Sequence, residues 1–201
     1  MKLKTKIWIA VGVIAALLIA QMWWRPSESR LQDGDIVFRG TNPALLGLTL
    51  SPWTHCGVLH KENGQWMVYE AIGTQHKKIS LKKWRRHEAP YIFRVMRPKK
   101  ALTNAQKNKI INRVSNLAGR KYDHCYSWTD QDQYCSELVW KGYKAAGIEL
   151  SEPRKVDTFF VHKILPDAIL EKIVKGCILK GNQPMVPPCD LVNSNKLKRV
   201  W

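Results

Sequence analysis

Asn63-Gly64 is the tightest local constraint in this chain. Both residues tolerate positive φ, and a two-residue turn of this composition joins antiparallel strands in one register. The runs on either side, His55 to His60 and Gln65 to Ile72, are apolar, β-branched or aromatic in good part, so the segment reads as a β-hairpin. Pairing that starts at Glu62–Gln65 and steps outward brings Gly57 opposite Glu70. Strand side chains alternate, so His55 shares a face with Gly57, and Glu70 becomes its diagonal cross-strand neighbour at roughly 7–8 Å between Cα atoms. The missing side chain at Gly57 leaves space for the carboxylate to reach one nitrogen of the imidazole, freeing the other nitrogen to act as a base. A one-residue bulge at the turn would send Glu70 to the opposite face and dissolve the pair.

The flanking segments read as α+β. A first strand is expected from Asp35 to Phe38 after the Asp33-Gly34 turn, then a loop through Asn42-Pro43 and Ser51-Pro52, and another strand from Tyr91 to Met96. Thr103 caps a segment in which Ile110, Ile111, Val114 and Leu117 recur at helical spacing until Gly119 stops it. A second helix is expected from Cys135 through Ala146, with Leu138, Val139 and Tyr143 on one face and Gly147 as its stop. With 45% apolar residues and nine Trp in 201 residues, one buried core is affordable and disorder is not expected. Residues 151–181 show no organising pattern.

The N-terminus stands apart. Lys2, Lys4 and Lys6 precede an uncharged run from Ile7 to Trp24, which ends at Arg25-Pro26. Eighteen residues at about 1.5 Å each lie near the lower limit for a hydrocarbon core of roughly 30 Å and exceed an ordinary signal core. The expected organisation is a membrane anchor or signal peptide over 1–25, followed by one domain over 26–201. The lysines hold the N-terminus in the cytoplasm, and Trp23 and Trp24 suit the far interface. The domain is therefore expected outside the inner membrane, facing the periplasm or extracellular side, or secreted if Leu18-Ile19-Ala20 is a cleavage site.

Without Lys2, Lys4, Lys6 and Arg25, 29 basic residues remain against 16 acidic, a net +13. The densest cluster, Lys77-Lys78, Lys82-Lys83 and Arg85-Arg86, suits anionic lipid, wall polymer or plain solvent; export argues against nucleic acid. Of five cysteines, Cys177 and Cys189 are close enough in sequence to close a short loop. Cys56 and Cys125 read as buried or partly buried thiols. His60, His76, His87, His124 and His162 read as surface or packing residues, and no spacing suits a metal.

Cys135 follows the polar stretch Thr129 to Tyr134 and opens the second helix. A thiol there feels the helix dipole and unsatisfied N–H groups, which favour thiolate, and the same N–H groups can receive an oxyanion. Tyr122 and Asp123 suit either the cleft or local backbone capping, and Trp128, Tyr134 and Trp140 suit either core or cleft wall.

Gly34-Asp35-Ile36-Val37-Phe38, Thr54-His55-Cys56-Gly57-Val58, Tyr69-Glu70-Ala71 and Tyr134-Cys135-Ser136-Glu137-Leu138-Val139-Trp140 occur in that order. The set resembles the YiiX and YaeF group of permuted papain-like amidases, within the NlpC/P60 superfamily. There the histidine strand precedes the cysteine helix. The resemblance covers most of residues 33–143 and implies a circularly permuted papain-like fold, an antiparallel sheet packed with helices. It implies Cys135 as nucleophile, His55 as base and Glu70 as the residue orienting that base. Cys56 departs from the pattern, and alternation turns its side chain away from the His55 face. The expected activity is cysteine-dependent hydrolysis of an amide through a thioester, in a cell-wall peptide or an N-acylated amino compound, with no cofactor. Two alternatives are a lipid acyltransferase or phospholipase of the lecithin-retinol-acyltransferase type and an inactive module binding wall polymer or anionic lipid.

Overall fold

The computed structural model describes residues 28–40, 51–86, 92–159, 163, 166, 169, 177 and 179–201. The expected anchor or signal segment, residues 1–25, lies outside them, as do Asn42-Pro43, His87, Tyr91 and His162. Among the described residues no helix is long and apolar enough to cross a membrane. The chain divides into units 1–31 and 32–201. In the first, the described part holds a short 3-10 turn, Glu28–Arg30.

The second unit is built on a six-stranded antiparallel sheet. Its strands are β1 (Ile36–Gly40), β2 (His55–Glu62), β3 (Gln65–Ile72), β4 (Gln75–Ser80), β5 (Ile92–Pro98) and β8 (Leu197–Arg199), ordered β4-β3-β2-β1-β5-β8. Two-residue strands β6 (Arg154–Lys155) and β7 (Pro184–Met185) form a separate pair. Among the described residues the α-helices with defined bounds are α1 (Leu81–Trp84), α2 (Asn104–Ser115), α3 (Cys135–Ala145) and α4 (Pro188–Val192).

The hairpin takes the expected register: Glu62 pairs with Gln65 and Val58 with Tyr69. Asn63 and Gly64 have φ of 47° and 80°, the two positive values that a tight primed turn requires. Gly57 is tightly enclosed: a Cβ there would lie 2.6 Å from Val68 Cγ1 and 2.7 Å from the Tyr69 carbonyl oxygen. Thr103 caps α2 by accepting from the Gln106 N–H at 3.2 Å, while Gln106 Oε1 accepts from the Thr103 N–H at 3.1 Å. Ile36, Phe38, Cys56, Val58, Tyr69 and Ala71 form the sheet side of the main core, against Ile110 and Val114 of α2 and Leu138, Val139 and Tyr143 of α3.

Three features depart from the sequence reading. The Lys77-Lys78 part of the basic cluster lies in the edge strand β4, where exposed lysines deter pairing with another chain. The C-terminal residues return to the sheet as β8 beside β5. The disulfide is Cys125–Cys177, with Cα atoms 5.2 Å apart, not a Cys177–Cys189 loop. Cys189 is a buried thiol on α4 instead. Cys125 is therefore not a thiol, because bridging depends on Cα approach in space rather than on nearness in sequence.

Candidate active site

Strand β2 begins at His55 and helix α3 begins at Cys135, so both side chains sit where a regular element starts. His55 is buried, and its Nε2 lies 2.6 Å from Glu70 Oε2. This is the diagonal contact that the hairpin register predicts. Cys135 is the neighbour whose charge and hydrogen bonding, with those of Glu70, act on the same imidazole. With Nε2 engaged by the carboxylate, Nδ1 is the ring nitrogen left for the thiol. All three residues singled out in the sequence are brought together.

The same Glu70 oxygen accepts from Trp84 Nε1 at 2.6 Å and lies 3.9 Å from the Arg39 guanidinium. Neither residue was predicted from sequence. Arg39 pairs with His55 across β1 and β2, but residues 41–54 carry no turn signature that would set that pairing. Trp84 lies within a segment whose charges dominate its pattern.

The electrostatics follow from burial and pairing. Burial alone would strip the proton from His55, but the Cys135 and Glu70 charges and hydrogen bonds outweigh it and push its pKa up to about 9. The Cys135 thiol is held well below its ordinary value by a hydrogen bond from Cys56 and by the His55 charge and hydrogen bond, against burial. Burial would raise Glu70, yet the His55 hydrogen bond and charge, Arg39 and Trp84 hold it below its usual range. The arrangement favours thiolate, imidazolium and carboxylate in a row, as an activated cysteine nucleophile requires.

A family model described as permuted papain-like amidase enzyme, YaeF/YiiX, C92 family, matches residues 30–201. The chain belongs to this permuted papain-like amidase family. It is 33% identical over 141 residues to the uncharacterized protein YiiX of Escherichia coli strain K12, covering 68% of this chain and 67% of that one. A crystal structure of metalloprotein YiiX from Escherichia coli O157:H7 matches with a TM-score of 0.76 and 30% identity, over 86% of this chain and 97% of that chain.

Cys56 is a buried thiol on the face opposite His55, as strand alternation predicts. Alternation does place it on the helix-facing side of the sheet, with Phe38 and Val58. That side is where α3 enters, so Cys56 does not point away from the nucleophile candidate. Hydrogen bonding from its side chain and its backbone is among the causes that lower the Cys135 pKa. Burial and the adjacent Cys135 charge raise the Cys56 pKa well above the ordinary range, keeping it a protonated donor.

Asp123 serves the local backbone. Its carboxylate accepts from the Cys125 N–H at 2.9 Å and from the Ser127 N–H and hydroxyl at 2.5 and 2.9 Å. These bonds hold a loop in which Tyr126 and Trp128 have φ of 51° and 58°, unusual for bulky residues. Tyr134 packs between Tyr126 and Trp128, and its hydroxyl accepts from the Val186 N–H at 3.0 Å. Tyr122 is half-buried near Cys135, whose charge raises its pKa in addition to burial. His76 is buried against the Gln133 carbonyl and His60 pairs with Asp33, both packing roles.

Proposed function

We propose that this permuted papain-like amidase hydrolyses an amide bond through a thioester on Cys135, with His55 as acid and base and Glu70 orienting it. The observation carrying this reading is the buried His55 ring bonded to the Glu70 carboxylate at 2.6 Å, with the Cys135 thiol at the start of α3 as its other charged neighbour. The Cys135 thiolate attacks the carbonyl carbon, and the charge developing on oxygen meets N–H groups at the start of α3. Imidazolium gives its proton to the leaving amine, and the C–N bond breaks. Neutral His55 then takes a proton from water as hydroxide attacks the thioester, and keeps it as Cys135 leaves as thiolate, which releases the acid and restores the starting ion pair.

The relative from O157:H7 is described as a metalloprotein. Among the described residues here, no group of three or more His, Cys, Asp or Glu is placed to hold a metal ion, so no step is routed through one. The substrate proposed is a cell-wall peptide or an N-acylated amino compound outside the inner membrane, with residues 7–24 as the anchor or signal core. The Cys125–Cys177 disulfide supports an oxidising compartment. Parallel panels of wall-derived peptides, N-acyl amino acids and phospholipids, run on wild type and on Cys135→Ala, test the assignment. Amide turnover lost in the variant is the expected result. Turnover that survives Cys135→Ala, or turnover confined to phospholipid esters, would reject it.

A further inference from the structure

Trp84 is only 1% exposed, yet it belongs to the four-residue helix α1, which has almost no stability of its own. Besides packing against Phe93, it is held by the pair beside the thiol. Its indole N–H donates to Glu70 Oε2 at 2.6 Å, the oxygen that also meets His55 Nε2 at 2.6 Å. Its ring lies alongside the imidazole, with centroids 6.0 Å apart and planes 27° from parallel. Arg39 clamps it from behind, with its guanidinium carbon 4.6 Å from the indole centroid and Nη1 donating to the Trp84 carbonyl at 3.1 Å. Arg39 is itself buried, and its Nη2 reaches the shared Glu70 oxygen at 3.9 Å.

We infer that Trp84 is a positioning residue for the Glu70–His55 pair, and that Arg39 acts with it by holding both the indole and the carboxylate. This rests on the reading of Cys135, His55 and Glu70 as catalytic. The indole N–H on Oε2, with the Arg39 guanidinium as an ion-pair partner 3.9 Å from the same oxygen, fixes the carboxylate's rotation, and the fixed carboxylate fixes which imidazole nitrogen it holds. The ring alongside blocks the imidazole from swinging away from the thiol. A tryptophan serving only as core would need no N–H partner shared with a reacting pair; the shared oxygen sets Trp84 apart.

The test is a double-mutant cycle read by the rate of Cys135 alkylation with iodoacetamide at pH 6, where an ordinary thiol is nearly inert. Trp84→Phe keeps an aromatic ring and removes the donor. It should slow alkylation by about tenfold in the wild-type background and by less than about twofold in Glu70→Gln, because its effect passes through that carboxylate. Equal slowing in both backgrounds means a structural role, and no slowing in either also overturns the inference. If Trp84→Phe fails to fold, by near-ultraviolet circular dichroism, Arg39→Gln enters the same cycle with the same criterion. A Glu70→Gln variant that alkylates as fast as wild type defeats the catalytic reading of Glu70 itself. That result is distinct from a cycle in which Glu70→Gln is slow and Trp84→Phe is additive with it.

Discussion

The His55 imidazole sits where burial would ordinarily drive its proton off, and two anionic neighbours keep it on. Its pKa of about 9, against about 6.5 when free, sets the sign of its contribution to stability. A raised value in the folded state stabilises fully below about pH 6.5 and is lost as pH rises through about 9. Cys135 runs the other way: its depressed value stabilises above the range of a free thiol and is lost as pH falls through the folded pKa. Thermal unfolding of wild type and His55→Asn should therefore differ most between about pH 6.5 and 9, where the opposite slopes of the two groups cancel, with the difference shrinking as pH rises from about 9 to 10. A difference that grows over that interval would contradict the thiolate–imidazolium pair. The donation from Cys56 makes a separate prediction. Cys56→Ala should raise the Cys135 pKa and slow its alkylation at pH 6 several-fold, while Cys56→Ser, which restores a donor, should recover most of the rate. The sequence singles out Cys135, His55 and Glu70 as candidates, but not this donor. The premise that adjacent strand residues point to opposite faces is sound. The missing information was the face on which α3 enters.

At the scale of elements, the β2–β3 hairpin does most to place the site. Gly57→Ala would drive a methyl into the Val68 side chain and the Tyr69 carbonyl, and the backbone contact cannot yield cheaply. A loss of about 1–3 kcal/mol is expected by denaturant titration, together with weaker low-pH alkylation as His55 and Glu70 are pushed apart. Thr103→Ala removes one half of a capping box on α2, far from the chemistry, and should cost about 1 kcal/mol without changing alkylation. These elements were legible because their signals are local: a two-residue turn, a cap with its partner three residues on, and apolar spacing in α2 and α3. β4 and β8 were not. Gln75–Ser80 is a polar edge strand with few apolar positions to alternate, and the three residues of β8 gain their order from β5 rather than from their own pattern.

In the whole molecule the Cys125–Cys177 bridge ties the loop that carries Tyr126 and Trp128 to a segment 52 residues further along. Closing a loop of that length is worth up to about 4 kcal/mol in the chain-entropy model, so reduction should lower the unfolding midpoint markedly. A double Cys125→Ser, Cys177→Ser variant should match the reduced protein, and a reduced wild type as stable as the oxidised form would remove the bridge from the account. The α+β architecture and the His55–Glu70 pair could be read from the sequence alone because each depends on residues linked by short, stereochemically restricted connections, and the family from the order of four motifs along the chain. The disulfide partner, the Cys56 donor and the Arg39–Trp84 support around Glu70 were decided only by the tertiary structure. They depend on long connections, such as residues 41–54 and 126–176, whose local chemistry carries no information about where their ends will meet.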